Sequence, residues 1–215
     1  MAHPLFTPQF MSHLQLVIQQ HHLLYPRIPP RDIFFESLVE RAFRMTGLHP
    51  TAVVPTTPNM PQEDLQIGRE RISLKTETGR STKRDLISIT KLCTTEREPW
   101  VSEVLIERVL EHLSRYDHIL MLRAVRTKAG IAAGGDSIHY QLLDIPISLL
   151  ALMRGVGLAP VGRRSTRKSL AGDVSDGQQK VFRVHFDGTD GKCQIQRLLV
   201  SRCETLLEWD YYVNE

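Results

Sequence analysis

Two periods alternate along this chain. Residues 8–20 space their apolar side chains for a short helix, and the Pro-rich "HHLLYPRIPPRD" (21–32) reads as a connector. His21 and His22 are expected at the surface. Asp32 is expected to cap a second helix, "IFFESLVERAFRMTG", in which Phe35, Leu38, Val39 and Phe43 form a stripe and Gly47 marks the end. "TAVVPTTPNMP" reads as a short strand running into a Pro-rich loop. "EDLQIG" and "RERISLKTE" read as a strand–turn–strand unit. In "TKRDLISITKLCTTE", Leu86, Ile89 and Cys93 fall at helical spacing and predict a short helix. "EPWVSEVLIERVLEHLSRYD" gives the clearest helical pattern, with Pro99 in the first turn and Val101, Val104, Leu105, Val109 and Leu113 on the apolar face.

Beyond it, "HILMLRAVR" (118–126) predicts a buried strand and "IHYQLLDI" (138–145) another. Pro146 opens a helix, "PISLLALMRG", stopped by Gly155 and Gly157. "KVFRVHFDGTDGKCQIQRLLV" carries a hairpin signature around an Asp-Gly-Thr-Asp-Gly loop. "LLEWDYYV" (206–213) reads as a last strand or a subunit contact. The order helix, strand, strand, strand, helix, strand predicts an α/β (α+β) fold of three layers, a central mixed sheet flanked by helices, with an additional C-terminal hairpin.

Composition narrows the function classes. The 215 residues suffice for one sizeable domain, and 41% hydrophobic with 24% charged residues is ordinary for a globular protein. No apolar run is long enough for a membrane span, and the N-terminus lacks a signal-peptide pattern. Three cysteines, Cys93, Cys193 and Cys203, form no CxxC pair, which argues for a reducing cytoplasm and against a disulfide framework. The nine histidines form no HExxH, so zinc is not expected. The absence of GxxxxGK[ST] and GxGxxG argues against a nucleotide cofactor, and no GxSxG occurs. Net charge is only +3, but cations concentrate in "GRSTKR" (79–84) and "GRRSTRKS" (162–169), loops suited to phosphates.

The candidate chemistry lies in "QEDLQIGRERISLKTETGRSTKR" (62–84). On a strand, Arg71, Ser73, Lys75 and Glu77 share one face, and Ile72, Leu74 and Thr76 share the other. Asp64 stands across the turn from that polar face. Phosphodiester hydrolysis needs an activated water and charge to offset the pentavalent phosphorus. A divalent cation held by carboxylates, with a lysine beside it, supplies both. The same residues also fit a polar strand face in solvent, where ion pairs contribute about 0–1 kcal/mol. Glu63 competes with Asp64 for the position across the turn. Asp64 is preferred because Leu65 and Ile67 then lie on the opposite, apolar side.

Asp64, an eight-residue gap and Ser73-Leu74-Lys75 resemble the motif of the PD-(D/E)XK nuclease superfamily, most nearly the type II restriction endonucleases. The element order resembles that superfamily's core over about residues 33–126. The resemblance implies a Mg²⁺-dependent endonuclease acting on double-stranded DNA, a homodimer, and metal ligation by Asp64 with Glu77 and Glu36, Glu40 being a substitute for the last. Lys75 would assist the water. The sequence departs from the pattern in having Ser73 where an acid is usual, and in separating Pro61 from Asp64. Glu77 is the first candidate for the missing carboxylate and Glu36 the second.

One nuclease domain over 1–215 is expected, with the catalytic core at about 33–126 and DNA recognition in 127–215. Arg80, Lys83, Arg84, Arg163, Arg164, Arg167 and Lys168 are expected to meet phosphates. On the hairpin, Arg183 and His185, with Lys192, Gln194 and Gln196 on the returning strand, have side chains suited to base edges in a major groove. The segment 126–137 reads as a loop that orders on binding. A structure-specific repair or junction nuclease and a non-catalytic DNA-binding domain are the alternatives.

Overall fold

The computed structural model describes residues 5–52, 64–95, 99–127, 136–162 and 169–213. Helix α1, Pro8–Leu24, starts where the Thr7 hydroxyl accepts the Phe10 amide at 3.2 Å. It buries Phe10, Leu14, Val17 and Ile18 against α2, Asp32–Met45, which buries Phe35, Val39, Ala42 and Phe43. Phe10 and Phe43 stack at 4.1 Å between centroids. Asp32 does not cap α2. It is the first helical residue, at φ +41°, and Arg31 holds the cap position without a side-chain bond. His21 and His22 are buried, contrary to expectation, because α1 lies along the sheet. His22 Nε2 meets the Tyr140 hydroxyl at 2.8 Å, and its ring stacks on Tyr211.

The sheet under these helices has six strands in the order β1-β2-β3-β5-β6-β11. They are β1 (Thr51–Ala52), β2 (Leu65–Ile67), β3 (Glu70–Glu77), β5 (His118–Thr127), β6 (Ser137–Asp144) and β11 (Glu204–Tyr212). The β3–β5 pairing is parallel, and the other pairings are antiparallel. Helix α3, Ser102–Leu113, supplies the β3-to-β5 connection on the face opposite α1 and α2. It begins after Pro99 and buries Leu105, Ile106, Val109, Leu110 and Leu113, whereas Val101 and Val104 are exposed. "PISLLALMRG" is a single turn, α4 (Ile147–Leu150), continued by a 3₁₀ turn.

A second, antiparallel sheet covers that opposite face, in the order β4-β10-β9-β8-β7. It comprises β4 (Leu86–Thr94), β7 (Ala159–Val161), β8 (Ser169–Asp176), β9 (Gln179–Phe186) and β10 (Lys192–Leu199). The expected hairpin is β9–β10, and it forms the middle of this sheet. Residues 86–94 are a strand and not the expected helix. Ile87 and Ile89 alternate with half-buried Leu86 and Ser88, and pairing with β10 suits β-branched side chains. Strand β8 has little apolar signal because Gly172 lies against the turn before β7. A Cβ at Gly172 would fall 2.7 Å from the Gly157 carbonyl oxygen.

Two apolar clusters result, one on each face of the six-stranded sheet. Leu120, Leu122, Leu142 and Tyr140 join α1 and α2. Ile119, Met121, Leu143 and Ile145 join α3 and the second sheet. This is an α+β architecture with a mixed central sheet. Trp209 stacks on Tyr140, and Trp100 packs edge-on to Phe186. The three cysteines are free thiols, with Cys93 opposite Cys193 across β4 and β10. Among the described residues, no helix is long and apolar enough to cross a membrane.

Candidate active site

Strand β2 begins at Leu65, opposite Ile72, so the next outward amide of β3, that of Leu74, faces no strand residue. Asp64 fills the gap. Its amide donates to the Ile72 carbonyl at 3.0 Å, and its Oδ2 accepts the Leu74 amide at 2.5 Å and the Ser73 hydroxyl at 3.3 Å. Lys75 Nζ stands 3.6 Å from the same Oδ2 and donates to the Leu74 carbonyl at 3.0 Å. Gly68, at φ +60°, makes the tight turn that returns the chain for this contact.

Helix α2 presents Asp32 and Glu36 toward the same place, and β4 closes it with Thr90 and Lys91. The resulting hollow of about 320 Å³ brings Asp32, Glu36, Asp64, Lys75, Thr76 and Lys91 together. Burial raises the Glu36 carboxyl above the usual carboxylate range, and the charge of Asp64 raises it further, while Lys75 draws it back. Burial and then the Lys75 charge push His112, on α3, down to about 4, so His112 is neutral at physiological pH.

Of the five residues the sequence singled out for catalysis, the fold gathers Asp64, Ser73, Lys75 and Glu36. Glu77 is held elsewhere. Its carboxylate accepts Arg123 Nε at 2.8 Å and the Ser88 amide at 3.0 Å. Burial raises its pKa, and Arg123 offsets part of that rise. Glu40 pairs with Arg44 on the exposed side of α2. Glu63 and Pro61 lie outside the described residues.

Arg123 carries no exposed surface, and sequence reasoning missed it. Its guanidinium donates to the carbonyls of Lys83, Arg84 and Leu86 and to Gln141, which in turn donates to Glu208 at 2.6 Å. The signal was an arginine inside the apolar run "HILMLRAVR", a position that requires buried partners. Asp32 and Lys91 were not read as site residues either.

The expected DNA-binding residues divide into three groups. Arg80, Lys83 and Arg84 are exposed on the β3–β4 loop, whose backbone Arg123 holds. Arg183, His185, Gln194 and Gln196 share the outer face of the second sheet, with Gln194 opposite His185 and Gln196 opposite Arg183. Arg183 reaches Asp173 at 3.4 Å, Gln196 donates to Gln194 at 3.2 Å, and Lys192 pairs with Asp190 at 2.5 Å. Arg163, Arg164, Arg167 and Lys168, and most of the 126–137 segment, lie outside the described residues.

Among the described residues, no three carboxylate, imidazole or thiolate side chains converge as a metal cage. The hollow instead offers oxygen donors around two mutually repelling carboxylates, Glu36 and Asp64. That donor set fits Mg²⁺, which takes one or two protein carboxylates and fills its other positions with water and phosphate oxygens. It does not suit a soft metal.

No solved structure matches this chain. The type II restriction enzyme SmaI of Serratia marcescens is 30% identical over 182 residues, covering 82% of this chain and 71% of that protein. The SmaI family, described as type II site-specific deoxyribonuclease, matches residues 4–211, which takes in both sheets and the whole hollow. The chain therefore belongs to the SmaI family of type II site-specific deoxyribonucleases.

Proposed function

We propose that this deoxyribonuclease cuts a specific short sequence of double-stranded DNA at the Glu36–Asp64–Lys75 hollow, in a Mg²⁺-dependent reaction, on a variant of the PD-(D/E)XK plan. The observation that carries the reading is the Lys75 ammonium 3.6 Å from Asp64 Oδ2, with the Glu36 carboxyl, raised by burial and then by the charge of Asp64, lining the same hollow. Asp64 and Glu36 would hold Mg²⁺, which when bound supplies a water of lowered pKa and charge against the phosphate oxygens.

The remaining parts belong to the chain. Lys75 lies where an ammonium can orient the attacking water and meet charge developing on the phosphate. The Ser73 hydroxyl and the Leu74 amide fix the rotamer of Asp64, so Ser73 orients a ligand from the position where an acid is usual. Glu36 is the carboxylate that answers for the missing motif acid. Glu77 is a positioning residue, because Arg123 and the Ser88 amide already occupy it.

DNA would lie across the hollow and the outer face of the second sheet, which β4 joins. Arg183, His185, Gln194 and Gln196 would read bases, and the cations at 80–84 and 163–168 would meet phosphates. Residues 33–126 carry the catalytic part and 127–215 most of the recognition part of one domain. A homodimer belongs to this reading. Leu23, Leu24, Ile28, Ile33 and Phe34 are exposed around the α1–α2 connector beside the hollow, an apolar surface suited to a second copy.

The test is digestion of phage DNA by the purified protein with and without Mg²⁺, beside branched DNA of random sequence. Discrete fragments appearing with Mg²⁺ support the reading. A smear, preference for the branched substrate, or binding without cleavage contradicts it.

A further inference from the structure

Between two of its pairings with β10, strand β4 has two residues too many. Cys93 pairs with Cys193 and Ile89 with Ile195, so β4 spends four residues where β10 spends two. The surplus is a bulge at Thr90–Leu92 in which Thr90 and Lys91, consecutive residues, are both exposed. A regular strand would send neighbours to opposite faces. The bulge instead turns Thr90 and Lys91 together into the hollow that holds Asp64, Glu36 and Lys75. Lys91 forms no ion pair among the described residues.

We infer that Lys91 is a second phosphate-contacting ammonium of the cleavage site, facing Lys75 across the hollow and meeting the phosphodiester of the strand being cut. The inference rests on the proposed reading of the hollow. Charge argues for it. Asp32, Glu36 and Asp64 face Lys75 and Lys91, so the fully ionised hollow is negative by one charge. One divalent cation makes it positive by one, the complement of a single phosphodiester. Without Lys91 the loaded hollow would be neutral, and the phosphate would meet no net attraction. An exposed lysine on a bulge carries no packing duty that would account for its placement.

The test compares the parent with Lys91→Met, which keeps the stem and removes the charge, and with Lys91→Arg, which keeps the charge. Two quantities are read: the slope of log binding constant against log salt for duplex DNA with Ca²⁺ held at a fixed concentration in place of Mg²⁺, and the single-turnover cleavage rate with Mg²⁺. For Lys91→Met the slope becomes shallower by about 0.9, the share of one phosphate contact. The rate falls about 10- to 100-fold, short of the loss of a fully enclosed oxyanion donor. Lys91→Arg recovers both in large part. A parent-like slope or a parent-like rate in Lys91→Met overturns the inference, and so does an equal loss in Lys91→Arg. A parent protein that cuts no DNA with Mg²⁺ overturns the reading of the hollow itself, before any variant is compared.

Discussion

Arg123 Nε donates to Glu77 Oε2 at 2.8 Å, across the parallel β3–β5 pair, from a side chain with no exposed surface. The register sets Glu77 directly beside Arg123, so the acid that alternation aims to the Lys75 face is taken by a cation on the neighbouring strand. The same guanidinium grips the β3–β4 loop at Lys83 and Arg84 and the first residue of β4, Leu86. One residue therefore links β3, the basic β3–β4 loop and the far strands β6 and β11.

Removing one partner of such a pair leaves the other charge buried. Arg123→Met is expected to cost about 3–5 kcal/mol, with Arg123→Met/Glu77→Leu recovering much of it. Urea unfolding of the parent, both single variants and the double variant measures this. A cost below about 1 kcal/mol for Arg123→Met would show that the network is ornamental to the fold.

Glu36 is expected to show the opposite sign. Its folded pKa is raised above the ordinary value of 4.5, first by burial and then by Asp64. Its stabilising contribution is therefore complete below the unfolded pKa and lost as pH rises through the raised folded value. Ionising this carboxyl costs the fold stability, so Glu36→Gln should raise Tm at neutral pH by about 1–3 °C. The gain should vanish near pH 4. The same variant should lower Mg²⁺-dependent cleavage at least about 100-fold and should reduce the rise in Tm that Mg²⁺ gives the parent. Differential scanning calorimetry across pH, with and without Mg²⁺, reads all of this, and a fall in Tm at neutral pH would contradict it.

The outer face of the second sheet and the cations at 163–168 should separate specificity from affinity. Gln194→Ala should relax discrimination at one base pair by about 1–3 kcal/mol while leaving the salt slope unchanged. Arg163→Ala should weaken binding to all sequences, with a slope shallower by about 1. Competition binding with single-substituted duplexes distinguishes the two, and altered preference in Arg163→Ala would assign Arg163 to base reading.

What could be read from the chain followed local periodicity. The α2 stripe, the β2–β3 turn at Gly68 and the Ile72/Leu74 against Ser73/Lys75 alternation were legible, and they are enough to set Asp64 beside Lys75. Residues 86–94 were misread because Leu86, Ile89 and Cys93 match helical spacing, while the bulge breaks the period of two that would have shown a strand. Strand β8 was invisible because Gly172 replaces an apolar residue at a close backbone approach. The destination of Glu77 depends on the β3–β5 register, a contact between residues 46 apart, and no local pattern encodes it.

Whether the bond is broken where Lys75 meets Asp64 is read from single-turnover cleavage of phage DNA with Mg²⁺ by the parent, Lys75→Ala and Lys75→Arg. Discrete fragments are expected from the parent, a rate about 10²- to 10³-fold lower or undetectable from Lys75→Ala, and metal-free DNA binding in that variant close to the parent's. Fragments released by Lys75→Ala at the parent's rate would show that the bond is broken somewhere else on the molecule.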